Sequence, residues 1–372
     1  MATPYHRLAR ETPAYAWWKL PVAGLVILGF YLVLSTVLVA GAAVYFAASS
    51  GDATFTDWLD AAGDLDLAHL DFFVIDMLSL VVLIPAVLLG VLAIGPRPIG
   101  YLSSVAGRLR WGWLGRTALI SFAIFTVTIG ASLVVSEMTD PAEVSAPTDI
   151  GRRAVVAIVV VLLIVPFQAA AEEYVFRGYL MQLVGSWSRF AIIPVVVTTP
   201  LFVAGHLYDV WGLLDVGIFG LTAAILTIRT GGLEAGIAAH TANNVLLFVL
   251  DALGMVSATD DSGAGPVDLL PTVVSSVLLL VVVEWAARRH GILRTRAPLP
   301  EPPPPPVPLA PMWPPPPYAM VWHVPPVWPP PPPTGWVAGP APVTTPAPRQ
   351  LHPDTPDYPG DLPPGWNSSD RA

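Results

Sequence analysis

Two adjacent carboxylates and an arginine stand in "AEEYVFRGYL", residues 171–180, directly after an almost unbroken apolar run from Ala154 to Ala171. Ionisable side chains within hydrocarbon are costly, so a cluster of this kind marks a site unless its charges cancel. On a helix Glu173 and Arg177 are one turn apart and can pair, whereas Glu172 is rotated by about 100° and cannot share that partner equally. One carboxylate is then neutralised and the other points elsewhere. For the motif alone two readings stay open: a buried structural ion network, or chemistry by Glu172.

The histidines favour chemistry. Of the seven in the chain, His6, His69, His290, His323 and His352 fall outside the apolar runs, and only His206 and His240 fall within them. His240 begins "HTANN" (240–244), which sets Asn244 one turn further along the same face and leaves Asn243 offset. Counting about 1.5 Å per residue from a hairpin tip near Trp187 puts Glu172 and His206 within about one helical turn of each other in depth. His240 reaches that level if the tip projects about 10 Å or more beyond the membrane. A carboxylate in such a pocket is suited to act as a general base on water. His206 would orient or deprotonate the same water. His240 and Asn244 would donate hydrogen bonds to the oxyanion formed when a peptide carbonyl is attacked.

Helices crossing a membrane must position these groups. Eight spans are expected, at Pro21–Ala48, Phe72–Ile94, Thr117–Ser136, Ala154–Leu180, Ala191–His206, Val216–Thr227, Leu233–Leu250 and Leu270–Ala287. Their connections alternate in charge. Arg7, Arg10 and Lys19 precede the first span, Asp52 to Asp66 follow without lysine or arginine, and Arg97, Arg108, Arg110 and Arg116 come next. The alternation continues to Arg288–Arg296 and by the positive-inside rule makes both termini cytoplasmic in a cell-membrane protein; Arg152 and Arg153 break it. The first span is too long for a signal-peptide core and reads as a retained anchor. Asp76 and Glu284, near span ends, have interfacial structural readings, the latter four residues before Arg288. The expected organisation is all-α: a cytoplasmic segment 1–20, spans one to three over 21–136, a core of spans four to seven over 137–250, a last span within 251–290, and a tail 297–372.

The tail is chemically separate, with "PPPPP" at 302–306, "WPPPP" at 313–317 and "WPPPPP" at 328–333. Proline runs favour the solvated polyproline II helix, so this stretch is a disordered spacer or a ligand for a polyproline-binding partner, with Trp313, Trp322, Trp328 and Trp336 available for docking. The chain has no cysteine, which excludes disulfides, thiolate metal sites and a cysteine nucleophile. Its net charge of -9 and scattered basic residues give no sign of nucleic-acid binding.

"EEYVFR" (172–177), "FVAGH" (202–206) and "HTANN" (240–244) resemble, in order and spacing, the motifs EExxxR, FxxxH and HxxxN of the CAAX-processing and bacteriocin-processing (CPBP, or ABI) intramembrane protease family. The resemblance covers about residues 115–250. It implies a glutamate-dependent intramembrane endopeptidase acting on a membrane protein or peptide at the lipid bilayer, with Glu172 and His206 activating water, His240 and Asn244 at the oxyanion, and Glu173 with Arg177 holding the helix turn. It also brings a divalent metal such as zinc into consideration. No HExxH is present, so Glu172, His206 and His240 would have to converge as ligands from separate spans. Two other functions use the same residues: a proton-coupled transporter with a Glu/His relay, and a non-catalytic scaffold recruiting partners through the tail. A transporter would be expected to show internal repeats, and the two halves of the membrane region show no convincing similarity.

Overall fold

The computed structural model describes residues 2–13, 15–49, 67–139, 151–258 and 264–297. The chain divides into two units, Met1–Glu301 and Pro302–Ala372; the second, which holds most of the proline-rich tail, lies outside the described residues, as do the acidic stretches 51–66 and 140–150.

The membrane unit is all-α, as expected. The first expected span is α1 (Lys19–Ser49), and the second is the broken pair α2 (Leu70–Val81) and α3 (Leu83–Ile94). The third is α4 (Trp111–Thr139). The fourth runs through α5 (Arg152–Glu173), a π-helical stretch Tyr174–Leu180 and α6 (Met181–Trp187). Then come α7 (Ile192–Val203), α8 (Val210–Thr230), α9 (Glu234–Ala252) and α10 (Leu270–Arg289). Among the described residues six helices are long and apolar enough to cross a membrane, and α7 is a shorter apolar helix.

Three differences from the expected spans have physical causes. The sixth, expected to be short, is a full helix: Asp209 accepts from the backbone N–H groups of Trp211 and Gly212 and so starts α8 six residues before Val216. The fourth continues without interruption from Arg152 to Trp187, 36 residues or about 50 Å, which exceeds a hydrocarbon core of about 30 Å. The fifth ends at Val203, so His206 lies in the turn beyond α7 rather than on it.

Helix α9 is not among the six apolar spans, because it carries Glu234, His240, Asn243 and Asn244. It packs against α4, α5 and α8, and residues 234–240 are all buried. Protein rather than lipid surrounds its polar face. The core divides accordingly: Phe73, Val161, Val165 and Phe248 join α2, α5 and α9, while Phe125, Phe202, Phe219, Ala239 and Leu279 join α4, α7, α8, α9 and α10.

The connections that the charge pattern assigns to one side meet at one end of this unit. Thr3–Pro4 pairs antiparallel with Thr295–Arg296, a two-stranded ribbon not expected from the sequence. The 3₁₀ turn Tyr5–Glu11 packs beneath it, with the Tyr5 hydroxyl donating to the Leu102 carbonyl at 2.5 Å. Arg296 pairs with Glu11 at 3.0 Å, and Gln182 Nε2 donates to the Tyr101 carbonyl at 2.6 Å. Both ends of the membrane unit therefore lie on one side. Within the expected N-terminal segment 1–20 lies a packed element, with Tyr5, His6, Leu8 and Ala9 buried.

Candidate active site

The chemistry-bearing residues come from four places. Glu172 and Glu173 end α5, Arg177 lies in the π-helical stretch that follows, His206 sits in the turn after α7, and His240, Asn243 and Asn244 lie on α9. Glu173 and Arg177 form the pair that their spacing predicts: Nη1 donates to Glu173 Oε1 at 2.8 Å, with both side chains fully buried. Nη2 donates to the Gly220 carbonyl on α8 at 2.9 Å, and the guanidinium carbon stands 4.1 Å from the centre of the Phe202 ring. Arg177 thus links α5, α7 and α8 around one charge.

Two glycines permit that proximity. A Cβ on Gly220 would lie 2.9 Å from Phe202 Cδ1 and 3.1 Å from Arg177 Nη2, and one on Gly236 would lie 2.8 Å from Glu173 Oε2. The sequence singles out neither.

His240 stands between the two carboxylates. Its Nδ1 is 3.2 Å from Glu173 Oε1 and its Nε2 is 3.6 Å from Glu172 Oε2. The rings of Phe202 and Phe219 meet it edge-on, with centroids 5.9 and 5.2 Å away. His206 Nδ1 lies 2.9 Å from the carbonyl of Phe202, four residues earlier. A carbonyl only accepts, so Nδ1 carries the proton and Nε2 of a neutral ring is left as an acceptor. His206 is half-buried, packs on Phe202 with centroids 4.9 Å apart, and lies within electrostatic reach of Glu172 and His240. Phe202 thus touches Arg177, His206 and His240 at once.

Sequence reasoning passed over Gln168. Buried on α5 one turn before Glu172, it donates from Nε2 to Glu172 Oε1 at 2.9 Å and accepts from Asn244 Nδ2 at 3.3 Å. Asn243, the offset residue, donates to Asn244 Oδ1 at 3.2 Å. The signal was present: a lone polar residue in an apolar run, on the face of Glu172. Glu234 was also missed. It is fully buried at the start of α9, where the Arg110 guanidinium grips both its oxygens, at 2.8 and 2.6 Å, and the Arg110 backbone N–H adds a third bond at 2.8 Å. Arg110 further donates to the carbonyls of Thr230 and Leu293, which makes it a structural clasp between connections.

One carboxylate and two imidazoles are suitable donors for zinc. Among the described residues, however, no three His, Cys, Asp or Glu side chains are grouped so as to hold a metal ion. Glu172, His206 and His240 approach one another without closing a ligand cage.

Comparison with known proteins places this arrangement. Residues 153–246 match the family model described as type II CAAX prenyl endopeptidase Rce1-like, and that stretch contains Glu172, Glu173, Arg177, His206, His240 and Asn244. The resemblance to the CPBP family carried by the three motifs is borne out over that segment. The uncharacterized protein YyaK of Bacillus subtilis (strain 168) is 27% identical over 241 residues, which is 62% of this chain and 76% of that protein. No solved structure matches the chain.

Proposed function

We propose that this chain, Rce1-like over residues 153–246, is an intramembrane endopeptidase that cuts a membrane-associated protein or peptide with water activated by Glu172. One observation above all supports the reading. Glu172 Oε2 is buried without a hydrogen-bond partner, 3.6 Å from His240 Nε2, while Oε1 is held by Gln168. A buried acceptor left open beside a potential donor is expected where a reacting water is to be bound.

In the reaction Glu172 Oε2 takes a proton from water, the water oxygen bonds to the peptide carbonyl carbon, and the carbonyl electron pair moves onto oxygen. His206 Nε2 accepts the second hydrogen of that water and aims its lone pair. His240 gives its Nδ1–H to Glu173, so it donates to the oxyanion from Nε2 as an imidazolium between the two carboxylates; Asn244 donates too, since an amide nitrogen has two hydrogens, of which Gln168 takes one. The intermediate collapses with cleavage of the C–N bond, and the proton held by Glu172 passes to the departing amine. Glu173 and Arg177 remain paired throughout and fix the turn that presents Glu172.

The test uses purified protein in liposomes with quenched fluorescent peptides, a prenylated peptide ending in a CaaX sequence among them. The wild type is expected to cleave at least one, and Glu172→Gln to lower kcat by about 10²–10⁴-fold. Equal activity in Glu172→Gln, or a wild type inert on every peptide, would overturn the reading. Comparison of membrane-protein termini in cells carrying either form identifies the substrates as termini lost with Glu172→Gln.

A further inference from the structure

Three side-chain amides form a chain of hydrogen bonds that runs in one direction and ends on Glu172. Asn243 Nδ2 donates to Asn244 Oδ1 at 3.2 Å, Asn244 Nδ2 donates to Gln168 Oε1 at 3.3 Å, and Gln168 Nε2 donates to Glu172 Oε1 at 2.9 Å. Chemistry dictates the direction, since an ionised carboxylate only accepts and the amide beside it must present its NH₂ end. Its carbonyl then faces Asn244, and the same requirement passes to Asn243.

We propose that Gln168 is the positioning residue of the site: this amide chain holds Glu172 by Oε1 and so presents Oε2 to the reacting water beside His240. The inference rests on the hydrolytic reading of Glu172 and extends it to Gln168, outside the three motifs, and to Asn243, within the third but not one of its fixed positions. Gln168 is buried, so its bond to Glu172 is shielded from competing water, and bonds in a chain polarise one another in low-dielectric surroundings. Without that donor, Glu172 can rotate its carboxylate toward His240 or Asn244, and the open oxygen is no longer fixed. Asn243 acquires a role that its offset on α9 concealed, because it occupies Asn244 Oδ1 and thereby turns Asn244 Nδ2 toward Gln168.

The test is kinetic, in the liposome assay with a peptide that the wild type cleaves. Gln168→Met keeps an unbranched side chain of similar length and removes both polar ends. It is expected to lower kcat by about a hundredfold, as for a misplacement of the reacting group of about 1 Å, with KM changed less than about threefold. Asn243→Ala, at a half-buried position, is expected to lower kcat by a smaller factor. Because the chain acts as a unit, the double variant should be no slower than Gln168→Met alone. Thermal unfolding of each variant separates misfolding from misplacement. An unchanged kcat in folded Gln168→Met, or factors that multiply in the double variant, would overturn the inference while Glu172→Gln still abolished cleavage. If Glu172→Gln cleaved as the wild type does, or the wild type cleaved nothing, the hydrolytic reading would fail and this inference with it.

Discussion

Arg177→Met tests whether the structure has identified the charge on which this site depends. The side chain is 1% exposed and makes three interactions: the bond to Glu173 Oε1, the bond to the Gly220 carbonyl, and the stack on Phe202. Methionine fills much of the same channel, so packing is largely retained and the loss is electrostatic. Glu173, itself fully buried, keeps only His240 Nδ1 as a charged or polar neighbour at hydrogen-bond distance, with Glu172 one residue away. Breaking a buried pair on one side costs about 3–5 kcal/mol, because the desolvated partner stays behind. Removing both charges in Glu173→Gln/Arg177→Met leaves mainly the Gly220 carbonyl without its donor, about 1–3 kcal/mol. The double variant should therefore be more stable than the single by about 2 kcal/mol, although it carries one more substitution. Thermal unfolding in detergent, followed by circular dichroism, measures the order directly. A single variant as stable as wild type, or a double variant less stable than the single, would refute the assignment of this pair.

Two further outcomes follow from particular contacts. Gly236→Ala puts a methyl group 2.8 Å from Glu173 Oε2 and 3.5 Å from Thr227 Oγ1, against a carboxylate already held by Arg177, and should destabilise the protein by about 1–3 kcal/mol; a melting temperature equal to wild type would show that the Glu173 side chain gives way freely. His6 is buried at the membrane unit's end, and burial holds its ring below the usual histidine range, opposed by the Arg189 backbone and reinforced by Arg7. A histidine whose folded value lies below its free value of about 6.5 binds protons more tightly when the segment is undocked. Docking of residues 2–13 is thus at full strength above about pH 6.5 and weakens as pH falls below it. Hydrogen exchange in residues 5–9 should accelerate on acidification in the wild type and not in His6→Phe; parallel behaviour of the two would exclude His6 as the cause.

The parts of this protein legible in its sequence are those governed by a local rule. Apolar length located the helices of the membrane unit, though only six among the described residues, and not the expected eight, are long and apolar enough to cross; the i,i+4 spacing located the Glu173–Arg177 pair, and Asn244 follows His240 by one turn on α9. What escaped depends on which helix faces which. Gln168 was one polar residue in an apolar run, and its partners lie one turn away and 76 residues away. Glu234 read as the edge of a span, whereas its partner Arg110 comes from a connection 124 residues earlier. The close approach at Gly220 and Gly236 is made by side chains of other elements, Phe202 and Arg177 at the first and Glu173 at the second, which no pattern within one helix encodes. The docking of residues 2–13 was hidden for another reason: the segment is short and carries no apolar periodicity, yet Tyr5 enters a cluster with Tyr101, Met181 and Leu233.

The placement of α9 explains why polarity and chemistry coincide. A helix bearing a glutamate, a histidine and two asparagines would be a poor solitary span, since lipid cannot satisfy those groups. Enclosed by α4, α5 and α8, it exchanges lipid for partners: Arg110 for Glu234, the α5 carboxylates for His240, Gln168 for Asn244. Arg110 comes from the connection before α4 and the other partners from α5, so the polar face of α9 is satisfied only when both are assembled against it. The same assembly brings Glu172 and His240 together and leaves Oε2 of Glu172, like Oε2 of Glu173, buried without a hydrogen-bond partner. Both oxygens stand on a packed framework rather than on a lipid-facing helix, and on the hydrolytic reading proposed above Glu172 Oε2, beside His240, is the one that would meet the reacting water.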